Sequence, residues 1–270
     1  MAVLAVAGQQ LYHEEHGTGD PILGIHGTPS AAVFWEDAAT ELARLGRVVI
    51  YDRRGFHRSA WEQPPETVDL ADQLDDAEAL LTHLEAAPAI VVGRSTGGQI
   101  ALALAVQRPE LVTALVLLEP AVYTLHPDAQ AWADELRGVV LAAAADDPSV
   151  AAKAVFDAAL GSELWASLPD EAREVFTSGG PALLAETRGR GLDLSADPFA
   201  PSEEQLARVS QPTLVLSGEE SYPAAREVDD RLVALLPDAR HHVVAGGHLI
   251  DPAHPAVLEF VAAVLRGERA

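Results

Sequence analysis

Short apolar segments alternate along most of this chain with longer segments in which apolar residues recur every three or four positions. The short segments have the length of β-strands, and the longer ones have the periodicity of helices. Strands that are apolar throughout are buried on both faces, as in a mostly parallel sheet covered by helices. We predict eight strands, at residues 3–7, 11–15, 21–25, 47–51, 89–92, 113–118, 212–216 and 240–244.

The alternation stops between residues 123 and 210, where the pattern is helical and contains no convincing strand. Three interruptions that contain proline divide this block and predict three or four helices. They are Asp147-Pro148, Leu168-Pro169 and Gly179-Gly180-Pro181. We therefore expect an α/β core formed by residues 1–122 and 211–270, with residues 123–210 inserted after the sixth strand as a helical cap, or lid.

The balance of charge excludes several classes of partner. Acidic residues outnumber basic ones by 41 to 18, for a formal charge of −23, which would repel a nucleic-acid backbone or an anionic membrane surface. No apolar stretch reaches the roughly 18 residues that a membrane helix needs. Residues 1–8 have no basic leader and suit a first strand better than a signal peptide. We expect a cytoplasmic protein, monomer or homodimer, that binds neither nucleic acid nor membrane.

The chain contains no cysteine. This excludes disulfides, zinc–thiolate sites, iron–sulfur ligation and a cysteine nucleophile. We expect neither a metal ion nor an organic cofactor, so that any catalysis has to come from the remaining side chains.

A glycine-rich segment, Gly93-Arg94-Ser95-Thr96-Gly97-Gly98, follows an apolar strand and opens a predicted helix. This is the setting of a nucleophile elbow, in which a tight turn lifts a serine hydroxyl to the end of the sheet. The helix N-terminus behind it favours negative charge that develops nearby. Ser95 is therefore the candidate nucleophile. The alternative is a glycine-rich helix start with an idle serine.

The loop after the third predicted strand has the sequence His26-Gly27-Thr28-Pro29. A turn here can aim the backbone N–H of Thr28 at a substrate oxygen, and the N–H of Thr96 can do the same from the elbow. Each donor of such an oxyanion hole is worth roughly 3 kcal/mol of transition-state stabilisation. We predict that Thr28 and Thr96 supply these donors and that His26 only braces the loop. The alternative is an ordinary loop.

A third motif, Gly246-Gly247-His248, follows the last predicted strand. A histidine in such a loop can reach the serine, and histidine is the usual general base at neutral pH. His241 and His242 stand at the start of the same strand, toward the opposite edge of the sheet, so we expect structural roles for them. His248 is the candidate base, and the alternative is a surface histidine.

These motifs resemble those of lidded members of the α/β-hydrolase fold, and they occur in that family's order. His-Gly-Thr-Pro is similar to the family's oxyanion loop, Gly93–Gly98 to its elbow and Gly247-His248 to its histidine loop. Residues 51–59 are similar to the family's Asp-x-Arg-Gly-x-Gly-x-Ser stretch, with an arginine and His57 where that pattern varies. The resemblance covers nearly all of the chain outside residues 123–210, and it implies the α/β-hydrolase fold.

The nucleophile position narrows the chemistry that this resemblance implies. Haloalkane dehalogenases and epoxide hydrolases of the fold carry an aspartate there, whereas this chain has Ser95. A serine points to acyl transfer, that is, to hydrolysis of an ester, lactone or thioester, or to cleavage of a carbon–carbon bond beside a carbonyl. We predict a carboxylic ester or lactone hydrolase with a Ser-His-Glu triad. The alternatives are a C–C bond hydrolase, a haloperoxidase or perhydrolase, and a catalytically silent ligand-binding protein.

The resemblance is incomplete at the acid that should orient the histidine. Most members of the family carry an aspartate after the strand that follows the lid, and Ser221 stands at that position. Glu119 ends the sixth predicted strand, where functional groups of parallel sheets gather. Some haloalkane dehalogenases and lactonases of the fold place their acid there. We predict Glu119 as the acid, with Glu219 or Glu220 as the alternative.

The predicted cap contains five large aromatic residues, which can form its own core or roof an apolar pocket. They are Trp132, Phe156, Trp165, Phe176 and Phe199. We predict Trp132 and Trp165 as substrate-binding residues and a small apolar ester or lactone as the substrate. Arg94 is expected either near the pocket mouth or in a salt bridge with the acidic surface.

Overall fold

Eight strands form a single sheet in the computed structural model, which describes residues 2–6, 8–145 and 147–268. They are β1 (Ala2–Val6), β2 (Gln9–His16), β3 (Pro21–Ile25), β4 (Arg47–Tyr51), β5 (Ala89–Arg94), β6 (Val112–Leu118), β7 (Thr213–Gly218) and β8 (Ala239–Val244). Their order is β1-β2-β4-β3-β5-β6-β7-β8. The pairs β1–β2 and β2–β4 are antiparallel and the remaining pairs are parallel.

The predicted mostly parallel sheet is therefore confirmed, with strand boundaries that differ from the predicted ones by at most two residues. Ala7, the last residue of the predicted first strand, lies outside the described residues. Because β3 to β8 are parallel, the loops that follow β3, β5, β6, β7 and β8 all leave the same edge of the sheet. That edge collects the three motifs and Glu119.

The described part of the chain contains eleven α-helices, none of them both long and apolar enough to cross a membrane. They are α1 (Glu36–Leu42), α2 (Leu70–His83), α3 (Thr96–Gln107), α4 (Pro127–Ala143), α5 (Pro148–Leu160), α6 (Ser162–Ser167), α7 (Asp170–Ser178), α8 (Gly180–Arg188), α9 (Glu203–Leu206), α10 (Pro223–Leu235) and α11 (Pro255–Leu265). A 3₁₀ turn, Ala32–Trp35, directly precedes α1.

Two apolar clusters, one on each face of the sheet, hold these helices in place. Alternate strand residues point to opposite faces, so that in β4 Val49 and Tyr51 join one cluster while Val48 and Ile50 join the other. The first cluster contains the buried residues of α2, α3 and α10, and the second contains those of α1 and α11. This two-sided burial is the reason that the strands are apolar throughout.

Six of the described helices, α4 to α9, lie between β6 and β7, so the prediction of three or four was wrong. The three predicted interruptions each fall at a helix start, those of α5, α7 and α8, because proline suits the beginning of a helix. Gly161, with φ 86°, separates α5 from α6. Ser202 begins the short helix α9 with a capping box. These last two signals account for the additional helices.

Candidate active site

Ser95 occupies the turn between β5 and α3 with φ 55° and ψ −123°. A positive φ at a non-glycine residue costs about 1–3 kcal/mol and persists only where the surroundings enforce it. Here the N–H of Ser95 donates to the carbonyl of Leu118, and its own carbonyl accepts from the N–H of Ala121, both at 3.0 Å. A Cβ atom at Gly97 would lie 2.1 Å from the carbonyl oxygen of Ile25, so this close turn requires glycine.

His248 and Glu119 form a buried hydrogen bond, with 2.6 Å between Nδ1 and Oε2. The second carboxylate oxygen, Oε1, accepts from the backbone N–H of Gly218 at 2.6 Å. Burial alone would raise the pKa of the Glu119 carboxyl, but the hydrogen bond from His248 and its electrostatic attraction outweigh burial, and the pKa is lowered. Glu119 is therefore held as a carboxylate, and the Nδ1–H of His248 is the donor.

Ser95 and His248 line the wall of one pocket, whose empty volume, mouth included, is about 630 Å³. The two side chains form no hydrogen bond with each other among the described residues. Such contacts are often long before a substrate binds. Since Nδ1 of His248 donates to Glu119, the lone pair of Nε2 remains for a second hydrogen bond.

The alternative acids lie elsewhere. Glu219 and Glu220 are exposed residues of the loop after β7, and their backbone N–H groups bond to the carbonyls of Val244 and Gly246. Ser221, at the position where the resemblance implies an aspartate, lies beside Glu119. The observed partner of His248 is thus Glu119.

The backbone N–H groups of Thr28 and Thr96 have no acceptor within the described ranges. Both residues lie at the edge of the sheet that carries Ser95, Thr28 in the loop after β3 and Thr96 at the start of α3. The loop of Thr28 is braced by His26, whose Nε2 accepts from the N–H of Arg53 at 2.9 Å and whose Nδ1 bonds to the carbonyl of Gly27 at 2.8 Å. Burial, followed by the charge of Arg53, holds the pKa of His26 well below its usual value, so it is neutral.

A buried polar network joins the loop of Thr28 to α8, and sequence analysis did not anticipate it. The hydroxyl of Thr28 donates to Glu186 at 3.0 Å and accepts from Arg53. Arg53 also forms an ion pair with Glu186 at 2.5 Å, and Gln73 donates to the same carboxylate at 2.8 Å. Thr28, Arg53, Gln73 and Glu186 lie between 20 and 158 positions apart in the sequence, so no local motif marks the network.

Asp193, in the loop after α8, is a second site residue that the sequence analysis missed. It lines the pocket and accepts a hydrogen bond from the hydroxyl of Thr96 at 3.2 Å. Burial raises the pKa of its carboxyl to about 7, the charge of Glu186 adds to the rise, and the charge of Arg53 opposes it. That environment comes from the approach of this loop to Glu186, Arg53 and Thr96.

Aromatic side chains form much of the remaining wall. Trp132 stacks on Tyr222 with 4.5 Å between ring centroids and meets Tyr123 edge-on at 5.3 Å, and all three line the pocket. Trp165 was predicted to contact substrate, but it is not in the pocket wall. It packs against Phe156, at 5.0 Å between ring centroids, and Phe156 itself lines the pocket.

The structure also decides between the two expectations for Arg94. The residue is only 8% exposed and lines the pocket beside Ser95. Its side chain forms no ion pair within residues 2–6, 8–145 and 147–268, and the one hydrogen bond of that side chain joins Nη1 to the carbonyl of Ile250 at 3.3 Å. The predicted salt bridge with the acidic surface is therefore wrong, since the side chain is turned inward.

The strand order brings Ser95, His248 and Glu119 to the carboxyl edge of a parallel sheet, the arrangement expected of an α/β-hydrolase fold. Comparison with known families agrees, because the alpha/beta hydrolase fold family matches residues 20–251. The chain belongs to the α/β-hydrolase fold family.

Three similar proteins illustrate the relationship. An uncharacterized hydrolase of Bacillus subtilis, YraK, is 35% identical over 122 residues, so that the match spans 45% of this chain and 45% of that protein. A putative non-heme chloroperoxidase of Synechocystis is 27% identical over 267 residues, which cover 93% of this chain and 94% of that protein. A thermophilic esterase from Thermogutta terrifontis superposes with a TM-score of 0.77 and 24% identity, over 99% of this chain and 97% of that one. At this identity the likeness concerns the fold.

Proposed function

We propose that this protein hydrolyses a carboxylic ester or lactone through an acyl-enzyme, with Ser95 as nucleophile, His248 as general base and Glu119 as the orienting acid. The observation that carries the proposal is the 2.6 Å hydrogen bond between His248 and Glu119, in a pocket shared with a serine held at positive φ. A nucleophile, a base and an acid that orients the base are the parts that acyl transfer by serine requires.

In the first half of the reaction, the hydroxyl oxygen of Ser95 attacks the substrate carbonyl carbon while Nε2 of His248 takes the hydroxyl proton. The carbonyl oxygen becomes an oxyanion, which the N–H groups of Thr28 and Thr96 stabilise. Glu119 keeps His248 in the tautomer with its proton on Nδ1 and stabilises the imidazolium. The bond to the leaving alkoxide breaks, and the proton from Nε2 passes to that oxygen.

In the second half, a water molecule attacks the carbonyl carbon of the acyl-enzyme and gives its proton to Nε2 of His248. The same two N–H groups stabilise the second oxyanion. The bond to the oxygen of Ser95 then breaks, the proton returns to that oxygen, and a carboxylic acid is released. No cofactor enters either half.

Residues 123–210 supply the roof of the pocket in this proposal, and we regard them as a cap over the core. Trp132, Leu136 and Phe156 come from its helices and line the pocket. Such a wall favours an apolar acyl or alcohol group. A small-molecule ester or lactone with an apolar portion is therefore the proposed substrate class.

A fluorophosphonate probe tests the proposal, because it phosphonylates only an activated serine. Peptide mass spectrometry should find one adduct, on the peptide that contains Ser95, in the wild type and in Ser30→Ala, which removes the other serine of the pocket wall. Ser95→Ala should carry no adduct. A panel of esters and lactones should then give turnover that Ser95→Ala and His248→Ala both lose.

Two outcomes would contradict the proposal. The first is an adduct that persists in Ser95→Ala. The second is a folded wild type that carries no adduct even after detergent or brief proteolysis has opened the cap. The second outcome would favour a catalytically silent ligand-binding protein.

One relative favours a second candidate activity on the same site. The similar protein of Synechocystis that matches over nearly the whole chain is named a putative chloroperoxidase. If hydrogen peroxide replaces water in the second half of the reaction, the acyl group leaves as a peracid. Halogenation that requires both peroxide and a carboxylic acid, and that Ser95→Ala abolishes, would support this perhydrolase activity.

A further inference from the structure

The side chain of Arg94 is a buried cation without a carboxylate partner. It precedes Ser95 at the end of β5, is 8% exposed, and forms no ion pair with any residue that the structure describes. Its neighbours are the ring of Trp35, with 5.7 Å from the guanidinium carbon to the ring centroid, and the carbonyl of Ile250. A buried charge is costly unless an opposite charge and hydrogen bonds compensate it.

Most of the hydrogen-bonding capacity of Arg94 is unused. A guanidinium has five N–H donors, and only Nη1 has an acceptor in the described ranges, at 3.3 Å. The other two nitrogens, Nε and Nη2, have no acceptor among the described residues. Neither of them is fully buried, so both remain accessible. Arg94 lines the pocket that contains Ser95, and that pocket is where these donors can meet an acceptor.

The charges around Arg94 do not replace the missing partner. Asp251 is the acidic residue whose charge reaches it, and Asp251 is exposed. The carboxyl group within the pocket wall belongs to Asp193, and it bonds to Thr96. Burial lowers the pKa of Arg94 only to about 10, so the guanidinium remains charged at neutral pH.

We propose that Arg94 is the anion-binding residue of the substrate pocket and that the natural substrate is an ester or lactone that also carries a carboxylate. The planar fork of a guanidinium matches a carboxylate with two parallel hydrogen bonds. A bound carboxylate would supply the charge and the acceptors that Arg94 lacks. Because the protein carries a formal charge of −23, the wider electrostatic field does not attract an anion, and selection for one depends on this local group.

This inference rests on the proposed ester or lactone hydrolysis, and paired substrates separate the two. Monomethyl esters of linear dicarboxylic acids, from succinate to suberate, are each compared with the ester in which a primary amide replaces the free carboxylate. The two members of a pair have the same shape and differ in charge. We expect the wild type to prefer the carboxylate member in kcat/KM by about tenfold or more at one or more chain lengths, as for a hydrogen bond to a charged group.

Substitutions assign that preference to the guanidinium. In Arg94→Met the ratio of kcat/KM for the carboxylate over the amide should fall to about one, and Arg94→Lys, which keeps the charge but not the fork, should retain part of it. Arg208→Met makes the same change of net charge at an exposed position and should keep the wild-type ratio. If Arg94 only supports the loop of His248 through Ile250, both members of each pair lose activity equally and the ratio stays constant, which overturns the inference.

A binding measurement does not depend on turnover. Calorimetry with Ser95→Ala protein should show that one of the free dicarboxylates binds at least tenfold more tightly than its diamide, and that Arg94→Met/Ser95→Ala loses this difference. Preferential binding without hydrolysis of any ester would retain the anion site and reject the proposed function. Hydrolysis of neutral esters with no carboxylate preference in either assay would retain the function and reject the anion site.

Discussion

Arg53 and Glu186 form an enclosed ion pair, with 2.5 Å between Nη1 and Oε1 and both side chains removed from solvent. Arg53 lies just after β4 in the core, and Glu186 lies in α8 of the inserted helices. Thr28 bonds to both through its hydroxyl. The pair therefore fastens the proposed cap to the loop that supplies one of the proposed oxyanion donors.

Removal of one partner of this pair should destabilise the fold strongly. In Glu186→Leu the guanidinium of Arg53 stays buried without its counter-charge, which costs about 3–5 kcal/mol. The double variant Arg53→Met/Glu186→Leu leaves neither charge and should recover much of that loss. Urea unfolding of the two single variants and the double variant measures the coupling. Strictly additive losses would show that the two side chains act independently.

Glu119→Gln should lower kcat by about 10⁴-fold, by analogy with a triad acid made neutral, while the protein stays folded. Glu119 accepts from both His248 and the N–H of Gly218, and a glutamine has only one acceptor oxygen for these two donors. Ester kinetics and circular dichroism measure the two effects. Glu220→Gln makes the same change on an exposed residue and should leave kcat unchanged. The reverse pattern would move the acid to the loop after β7.

Asp193 should add an alkaline limb to the pH dependence of activity. Its carboxyl has a pKa of about 7, so it is neutral below that pH and negatively charged above it. The charge develops beside Thr96, whose N–H we propose as an oxyanion donor, and it opposes the negative charge of the transition state. In the wild type kcat/KM should therefore fall as the pH rises through 7, whereas Asp193→Asn should lack this fall.

The same carboxyl affects stability in a defined direction. Its pKa is raised in the folded state, so the folded protein binds this proton more tightly than the unfolded chain does. The contribution to stability is complete below a pH of about 4 and is lost as the pH rises to about 7. Unfolding of wild type and Asp193→Asn between pH 5 and 8 should show a relative gain for the variant. Asp197→Asn, on an exposed residue of the same loop, controls for the charge change, and an equal gain there would contradict the assignment.

Two Gly→Ala substitutions should have opposite effects. A Cβ atom at Gly97 would lie 2.1 Å from a backbone oxygen of Ile25, so Gly97→Ala should disrupt the elbow and yield little folded protein. Gly138 lies inside helix α4, is exposed, and has open space where a Cβ would stand. Gly138→Ala should stabilise the protein by about 0.5–1 kcal/mol. Thermal unfolding of both proteins measures the difference, and a destabilised Gly138→Ala would contradict it.

The sequence by itself determined the parts of this protein that depend on residues close to one another along the chain. The apolar strands and amphipathic helices predicted the mostly parallel sheet, because the spacing of apolar residues shows whether one face or both faces of an element are buried. The elbow at Ser95 was recognisable because its glycines surround a turn too tight for side chains, as the contact at Gly97 shows. The histidine loop was recognisable by its position after the last strand.

Only the tertiary structure decided which groups meet across the sheet. Sequence analysis favoured Glu119 as the partner of His248 but left Glu219 and Glu220 open, because 129 positions separate the bonded pair. It could not foresee the pairing of Arg53 with Glu186, which are 133 positions apart. The environments of Asp193 and Arg94 also arise from contacts between distant segments. Hydrogen bonds, burial and the resulting pKa shifts depend on the order of strands and the placement of the inserted helices, and no local pattern encodes them.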